Sequence, residues 1–306
     1  MKRYLVTRLG RAIATLVGIT VAVFVLTHVM GDPALILNDA DASNEVIAAT
    51  RENLGLNKPL HEQFVDFVAQ GLQGDFGPSL YRRVSSTTLL IQALGPTIVL
   101  ATAALMLVIA IGVTAGVIAS LKPGSRLDRV VASASTIGIA MPEFWLALLL
   151  IIIFAVQLRI LPTSGFASWE NLILPAVTLA SPSVARVAQL ARSAMVEEQR
   201  KEYVTVAYSK GLTKRIVITR HALKNAGLPI ITQVGLEAAE LFAGRTVIVE
   251  TIFAWPGVGR LAGEAFFGFD FPLIQTVVLW AALVTVAVNL LIDLSYAWFD
   301  PRIRYA

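Results

Sequence analysis

Six stretches of this chain are apolar for long enough to cross about 30 Å of hydrocarbon, which takes roughly 20 residues of helix. They run from about Ala12 to Met30, Pro96 to Leu121, Val130 to Leu158, Leu172 to Leu190, Ala226 to Val249 and Phe271 to Trp298. Little else that the chain does is as restrictive. A length of 306 residues would allow two soluble domains, but only 15% of the residues are charged, against about 25% in soluble domains. The pattern predicts an all-α membrane protein with six transmembrane helices in a single domain over residues 1–306.

Charge orients the spans, because Lys and Arg collect in cytoplasmic segments. With six spans and a cytoplasmic N-terminus, eighteen of the 25 basic residues fall inside, nine of them between Arg186 and Lys224. The fourth stretch is the least regular, since it holds Pro175, Pro182 and Arg186. Read alone it would suit a re-entrant segment. Omitting it would put the nine-charge loop outside, so it is retained. Both termini and residues 192–224 are then expected in the cytoplasm.

Residues 31–95 are expected to form an extracytoplasmic loop with short helices. Leu60, Phe64, Phe67, Val68 and Leu72 recur there at helical spacing, and Gly74, Gly77 and Pro78 follow. Lys2, Arg3 and Arg8 before an apolar run resemble a signal peptide, yet no small-x-small site follows, so an uncleaved anchor is expected. The chain has no cysteine, which excludes disulfides, thiolate metal sites and cysteine nucleophiles. Its three histidines show no metal-ligand spacing. No G-x-x-x-x-G-K-[ST] phosphate loop occurs, so no ATP site of that kind is expected in this chain.

The most informative loop segment is Glu202–Pro229, EYVTVAYSKGLTKRIVITRHALKNAGLP. Glu197, Glu198 and Glu202 suit the start of a short helix and Lys210 its end. Gly211 suits the left-handed residue that closes it, with Leu212 folding back over the last turn. Thr213 suits the cap of a second helix. Tyr203, Ala207 and Lys210 share one face, with Val204 and Tyr208 beside it. Such a mixed apolar and basic face fits insertion into a cleft of another protein, and equally a helix lying on anionic lipid.

The run E-Y-V-x-x-A-x-x-K-G-L, followed by H-x-L-x-N-A-x-x-P, resembles the cytoplasmic coupling motif of binding-protein-dependent ABC import permeases. G-D-F-G (Gly74–Gly77), M-P-E-F-W (Met141–Trp145), F-A-W-P-G-V-G-R and the closing N-L-L-I-D-L-x-Y-A-x-x-D-P-R-I-R extend the likeness to the dipeptide/oligopeptide/nickel permeases over nearly the whole chain. A basic residue is common in that family just after the motif's alanine; Tyr208 stands there in this chain. The resemblance implies a type I ABC importer-like permease fold in the bacterial inner membrane. It implies a second homologous permease subunit, an extracytoplasmic substrate-binding protein and two cytoplasmic ATPase subunits that use ATP and Mg. It assigns ATPase coupling to Glu202, Tyr203, Ala207, Lys210, Gly211 and Leu212. Short peptides are the first expectation for cargo, with nickel complexes, glutathione-like peptides and opine-type conjugates open. Neither a nucleic-acid partner nor a cofactor bound by this chain is expected.

Ionisable residues at membrane depth invite a functional reading. Glu143 follows Pro142 within the third stretch, Glu237 and Glu240 lie in the fifth, and Asn289 and Asp293 lie one turn apart in the sixth. A buried unpaired carboxylate is costly, so Glu143, Glu237, Glu240 and Asn289 are expected to line a polar translocation path or to bond within the bundle. Gly112 and Gly116 form G-x-x-x-G, which usually means close helix packing. Gly257, Gly259 and Gly263 miss the dinucleotide spacing by one residue and read as a turn. Two other functions fit the sequence less well. A gradient-driven secondary transporter often shows inverted repeats, and none is found. An intramembrane enzyme needs a placed nucleophile and base, and Ser164-Gly165 has no histidine near it in sequence.

Overall fold

The computed structural model describes the backbone of residues 2–299 except 32, 37, 39–42 and 54. Side chains are described between 7 and 292 except at those positions and at 30, 33, 36 and 53. Among the described residues the fold is helical, with one isolated β-bridge between Pro78 and Ser85. Among the described residues four helices are long and apolar enough to cross a membrane, or five if one sharply bent pair counts as a crossing. The four lie in α1 (Lys2–Met30), α3 (Ser86–Ser120), α6 (Glu170–Gln199) and α11 (Phe271–Phe299). A shorter helix, α2 (Leu60–Leu72), lies between α1 and α3.

Two expected spans differ. The third is broken: α4 (Arg126–Ala140) and α5 (Glu143–Gln157) meet at 104°. Met141 is extended there (φ −80°, ψ 123°), as a residue before proline prefers. Glu143 therefore sits at a corner rather than in the middle of a straight span. The fifth forms a helix, α8, over residues 214–243, with a π-helical turn at Val217–Ala222. It stops at Gly244 (φ 143°), short of the expected Val249, and its Thr232, Gln233, Glu237 and Glu240 dilute its apolar character. Two short helices, α9 (Val247–Ile252) and α10 (Val258–Phe267), lead from it to α11.

The doubtful fourth stretch is the central helix. α6 runs unbroken for 30 residues with Pro175 and Pro182 inside it. About two-thirds of its most apolar window is buried, against 17–28% for the other three. It packs against α3, α4, α5 and α8. The main core joins Leu100, Ala104 and Val108 of α3 to Leu179 and Val187 of α6, with Leu241, Phe253 and Trp255 from the C-terminal third. Gly112 and Gly116 do provide close packing. A Cβ on Gly116 would stand 2.5 Å from the Ala188 carbonyl oxygen, and one on Gly112 3.1 Å from that of Val184.

Between α1 and α3 the expected amphipathic helix forms as α2. Phe64 packs edge-on and Phe67 tilted against Phe24 of α1, at ring distances of 5.2 and 5.8 Å, while Leu60 and Leu72 stay exposed. Gly74 and Gly77 follow at positive φ, 75° and 82°.

Candidate functional site

Two arrangements carry the chemistry: an elbow after α6 and a cluster of charges halfway along it. The elbow begins with α7 (Glu202–Ser209). Its C-terminus closes with the two bonds of a Schellman motif. Gly211 N–H donates to Tyr208 O at 2.9 Å, and Leu212 N–H to Ala207 O at 3.4 Å. Gly211 has φ +79°, the left-handed conformation that lacks a Cβ penalty only for glycine. Leu212 folds back onto a small apolar cluster of Val204, Ala207 and Val217, with Tyr203 at its edge. Thr213 occupies the position before α8, but its hydroxyl makes no capping bond.

The face of α7 differs from expectation. Ala207 and Val204 are buried against Val217 at the start of α8, so they hold α7 to its own chain rather than standing open. The open face carries Glu202, Val206, Tyr208 and Lys210. A helical wheel shows which residues share a face but not which face its own chain covers. Tyr203 is half-buried and donates its hydroxyl to Glu198 Oε2 at 2.6 Å. Burial, and then that hydrogen bond, push the phenol above its ordinary value, so it remains a donor at neutral pH. Glu198 also pairs with Lys201. The elbow is thus tied to α6 through Glu198 and to α8 through Val217.

The charge cluster joins three of the expected carboxylates to two arginines. Arg186 makes a two-pronged pair with the buried Glu237, Nε to Oε1 at 2.7 Å and Nη2 to Oε2 at 2.6 Å. Arg245, just beyond α8, donates to Glu143 Oε1 at 2.8 and 2.6 Å, to Ser183 Oγ at 2.8 Å and to Glu237 Oε2 at 3.1 Å. Glu240 approaches both arginines at 3.4–3.6 Å but keeps 60% of its side chain exposed. Gln233 completes the set by donating to Glu237. At 1.5 Å per residue, Arg186 lies about 24 Å from one end of α6 and about 20 Å from the other. It therefore lies midway along α6 rather than in a loop. Of the three carboxyl groups set against two guanidiniums, Glu240 is the exposed one.

Asn289 stands apart. It is exposed on α11 and makes none of the cluster's hydrogen bonds; the side chain of Asp293 lies outside the described residues. Sequence reasoning missed Arg186 and Arg245 as partners, although both are cations at the ends of apolar stretches that contain unpaired acids. It also missed Glu250 on α9. This carboxylate is fully buried and accepts from Thr97 Oγ1 at 2.8 Å and from the Arg260 N–H at 3.0 Å. A Cβ on Gly257 would collide with it, and one on Gly259 would come within 2.6 Å of Val247 N. The glycine run is therefore not the expected turn: Gly257 precedes α10, Gly259 and Gly263 lie within it, and Gly257 and Gly259 serve close approach. Among the described residues, no three His, Asp or Glu side chains are placed to hold a metal ion.

Comparison with known proteins adds the following. Residues 112–305 match the family described as binding-protein-dependent transport system inner membrane component. Residues 1–78 match its N-terminal companion, binding-prot-dependent transport system membrane comp, N-term. The chain is 39% identical to the probable peptide ABC transporter permease protein y4tP of Sinorhizobium fredii (strain NBRC 101917 / NGR234), over 99% of each chain. It is 35% identical to the glutathione transport system permease protein GsiC of Escherichia coli (strain K12), over the whole of both. Among solved structures, it resembles the MetNI methionine ABC transporter in an inward-facing conformation. The TM-score there is 0.60 at 16% identity, covering 69% of this chain and 96% of the other. It also resembles an amino acid ABC transporter crystallised with histidines, with a TM-score of 0.54 at 18% identity over 68% and 92%. Those two likenesses speak for the fold.

Proposed function

The chain belongs to the binding-protein-dependent transport system inner membrane components and is an ABC permease subunit; from that premise we propose that it imports short peptides handed over by an extracytoplasmic binding protein. The observation that carries the cargo is the pair of relatives matched over almost their full length, one named for peptides and the other for glutathione. Glutathione is itself a tripeptide, so both names share one chemistry, an ammonium and carboxylates on an amide backbone. Nickel complexes and opine-type conjugates are weaker candidates on that ground.

The complete transporter would pair this chain with a second, homologous permease and with two cytoplasmic ATPases that bind ATP and Mg. Counting the bent α4–α5 pair as one crossing and α8 as another gives six crossings with both termini in the cytoplasm. Moving Arg186 to mid-bundle leaves seventeen of the 25 basic residues inside, so the positive-inside asymmetry persists. Residues 31–95 would then face outward and residues 192–224 inward.

In this arrangement the open face of α7, with Glu202, Val206, Tyr208 and Lys210, enters the ATPase cleft. Tyr203, Ala207, Gly211 and Leu212 hold that face at a fixed angle. α8 is the lever. It begins at the elbow and reaches Glu237 about 35 Å away along its axis, so a shift of α7 on ATPase closure is delivered to the charge cluster. Glu143 and Glu237, both enclosed in ion pairs, brace the α4–α5 corner against α6 and α8. Glu240 is the carboxylate placed to line the path. Titrating the cognate binding protein with di- and tripeptides, glutathione and nickel chelates tests the cargo. Tight binding of a peptide or glutathione is expected; tight binding of a nickel chelate alone would overturn the peptide reading.

A further inference from the structure

A cavity of about 750 Å³ lies beside the elbow, where the turn between α3 and α4 meets the start of α8. Its rim holds four cations: Lys122 from the turn, Arg126 from the start of α4, and Lys214 and Arg215 from α8. Its floor is apolar, with Leu121, Leu127 and Ile218 among the lining. We propose that this cavity binds the headgroup of an anionic phospholipid from the cytoplasmic leaflet, with the start of an acyl chain on the apolar floor.

Charge complementarity carries the choice of occupant. Lys214 donates to the Leu121 carbonyl at 3.1 Å, a neutral partner that leaves its charge uncompensated. Lys122, Arg126 and Arg215 are exposed and form no ion pair among the described residues. Asp128 is the one acid between residues 122 and 130. Its carboxylate is already taken, by Nε and Nη2 of Arg192 and by the Gly124 N–H. From Tyr203 to Leu236 the chain has no acidic residue at all. Four cations without a local counter-charge, set around an apolar floor at the end of a membrane-crossing helix, fit a phosphate carrying acyl chains. A free phosphate would leave the floor wet. An apolar partner helix would leave the rim unpaired.

The site spans two parts of the chain that move against each other if the elbow transmits force. A phosphate held between Arg126 and Arg215 braces the α3–α4 turn against the root of α8, a few residues beyond Gly211. Lipid composition would then tune coupling. The binding step does not depend on the coupling role, and its readout is separate from ATP hydrolysis.

The test uses the assembled transporter in nanodiscs. Phosphatidylglycerol is mixed with zwitterionic lipid, and the lipids retained after delipidation are measured by native mass spectrometry. The variant Lys122→Gln/Arg126→Gln/Arg215→Gln should lose at least about tenfold in its preference for phosphatidylglycerol over the zwitterionic lipid. The charge-conserving Lys122→Arg/Arg126→Lys/Arg215→Lys should keep it, which controls for misfolding. Inorganic phosphate at millimolar concentration should not displace the bound lipid. Equal retention by parent and neutral variant would overturn the proposal. So would displacement by inorganic phosphate, which would indicate a free-anion site. Loss of the ATPase subunits with lipid retention unchanged would likewise overturn it and make the rim a protein contact.

Discussion

Replacing Gly211 by valine separates the coupling function from folding. The elbow holds Gly211 at φ +79°, where a β-carbon costs about 1–2 kcal/mol and a β-branched side chain more. Space contributes nothing to that cost, because an added Cβ would meet no heavy atom within 4 Å. The penalty is therefore confined to the backbone, and it shifts a local two-state equilibrium by at least about 5- to 30-fold. That is small beside the core that α6 organises, so Gly211→Val should reach the membrane in normal amount. What it disturbs is the pair of bonds from Gly211 and Leu212 to Tyr208 and Ala207, and with them the angle of α7. ATP hydrolysis stimulated by the loaded binding protein should fall by at least about 5-fold in the reconstituted transporter. A matched control exists. Gly74 has φ +75°, and a Cβ there also meets nothing within 4 Å, so Gly74→Val imposes the same strain far from the elbow and should leave stimulated hydrolysis near parental. Parental hydrolysis in Gly211→Val, or an equal loss in Gly74→Val, would refute the reasoning.

Arg245→Gln leaves Glu143 without its ion partner and should cost about 3–5 kcal/mol, read as a lower melting temperature; Glu143→Gln in the same chain should recover part of it. Glu240→Gln removes a carboxylate that is 60% exposed, so stability should change by less than about 1 kcal/mol while uptake kinetics change; unchanged kinetics would take Glu240 out of the path. Gly116→Val sets a side chain against the Ala188 carbonyl and should cost about 1–3 kcal/mol or more, seen as reduced membrane abundance. Because the chain has no cysteine, Tyr208→Cys can be labelled cleanly: a membrane-impermeant maleimide should leave it unmodified in sealed cells, and modification from outside would reverse the proposed topology.

Four of the six expected spans were legible by apolar length and the elbow by one glycine, because both signals are local. Gly211 at positive φ and the G-x-x-x-G contact of Gly112 and Gly116 needed only neighbouring residues to be read. The α4–α5 corner was not read: the apolar run from Val130 to Leu158 continues through Met141-Pro142 and hides the place where the chain turns through 104°. The charge cluster was hidden by distance, since Arg245 and Glu143 are 102 residues apart and no pattern in one sequence pairs them. Ala207 was misjudged for a related reason: Val217, which covers it, lies beyond the elbow, and the direction of the elbow's fold-back is a tertiary fact.

Uptake by proteoliposomes tests the central claim most directly. The permease pair, the ATPases and the binding protein are reconstituted together, and entry of radiolabelled di- and tripeptides and glutathione is followed with ATP inside, outside or absent. The account predicts accumulation only when ATP is available to the ATPases and the binding protein is on the opposite face, with no ATP hydrolysis by this chain alone. Accumulation driven by an ion gradient without ATP, or steady ATP turnover by the isolated chain, would contradict it.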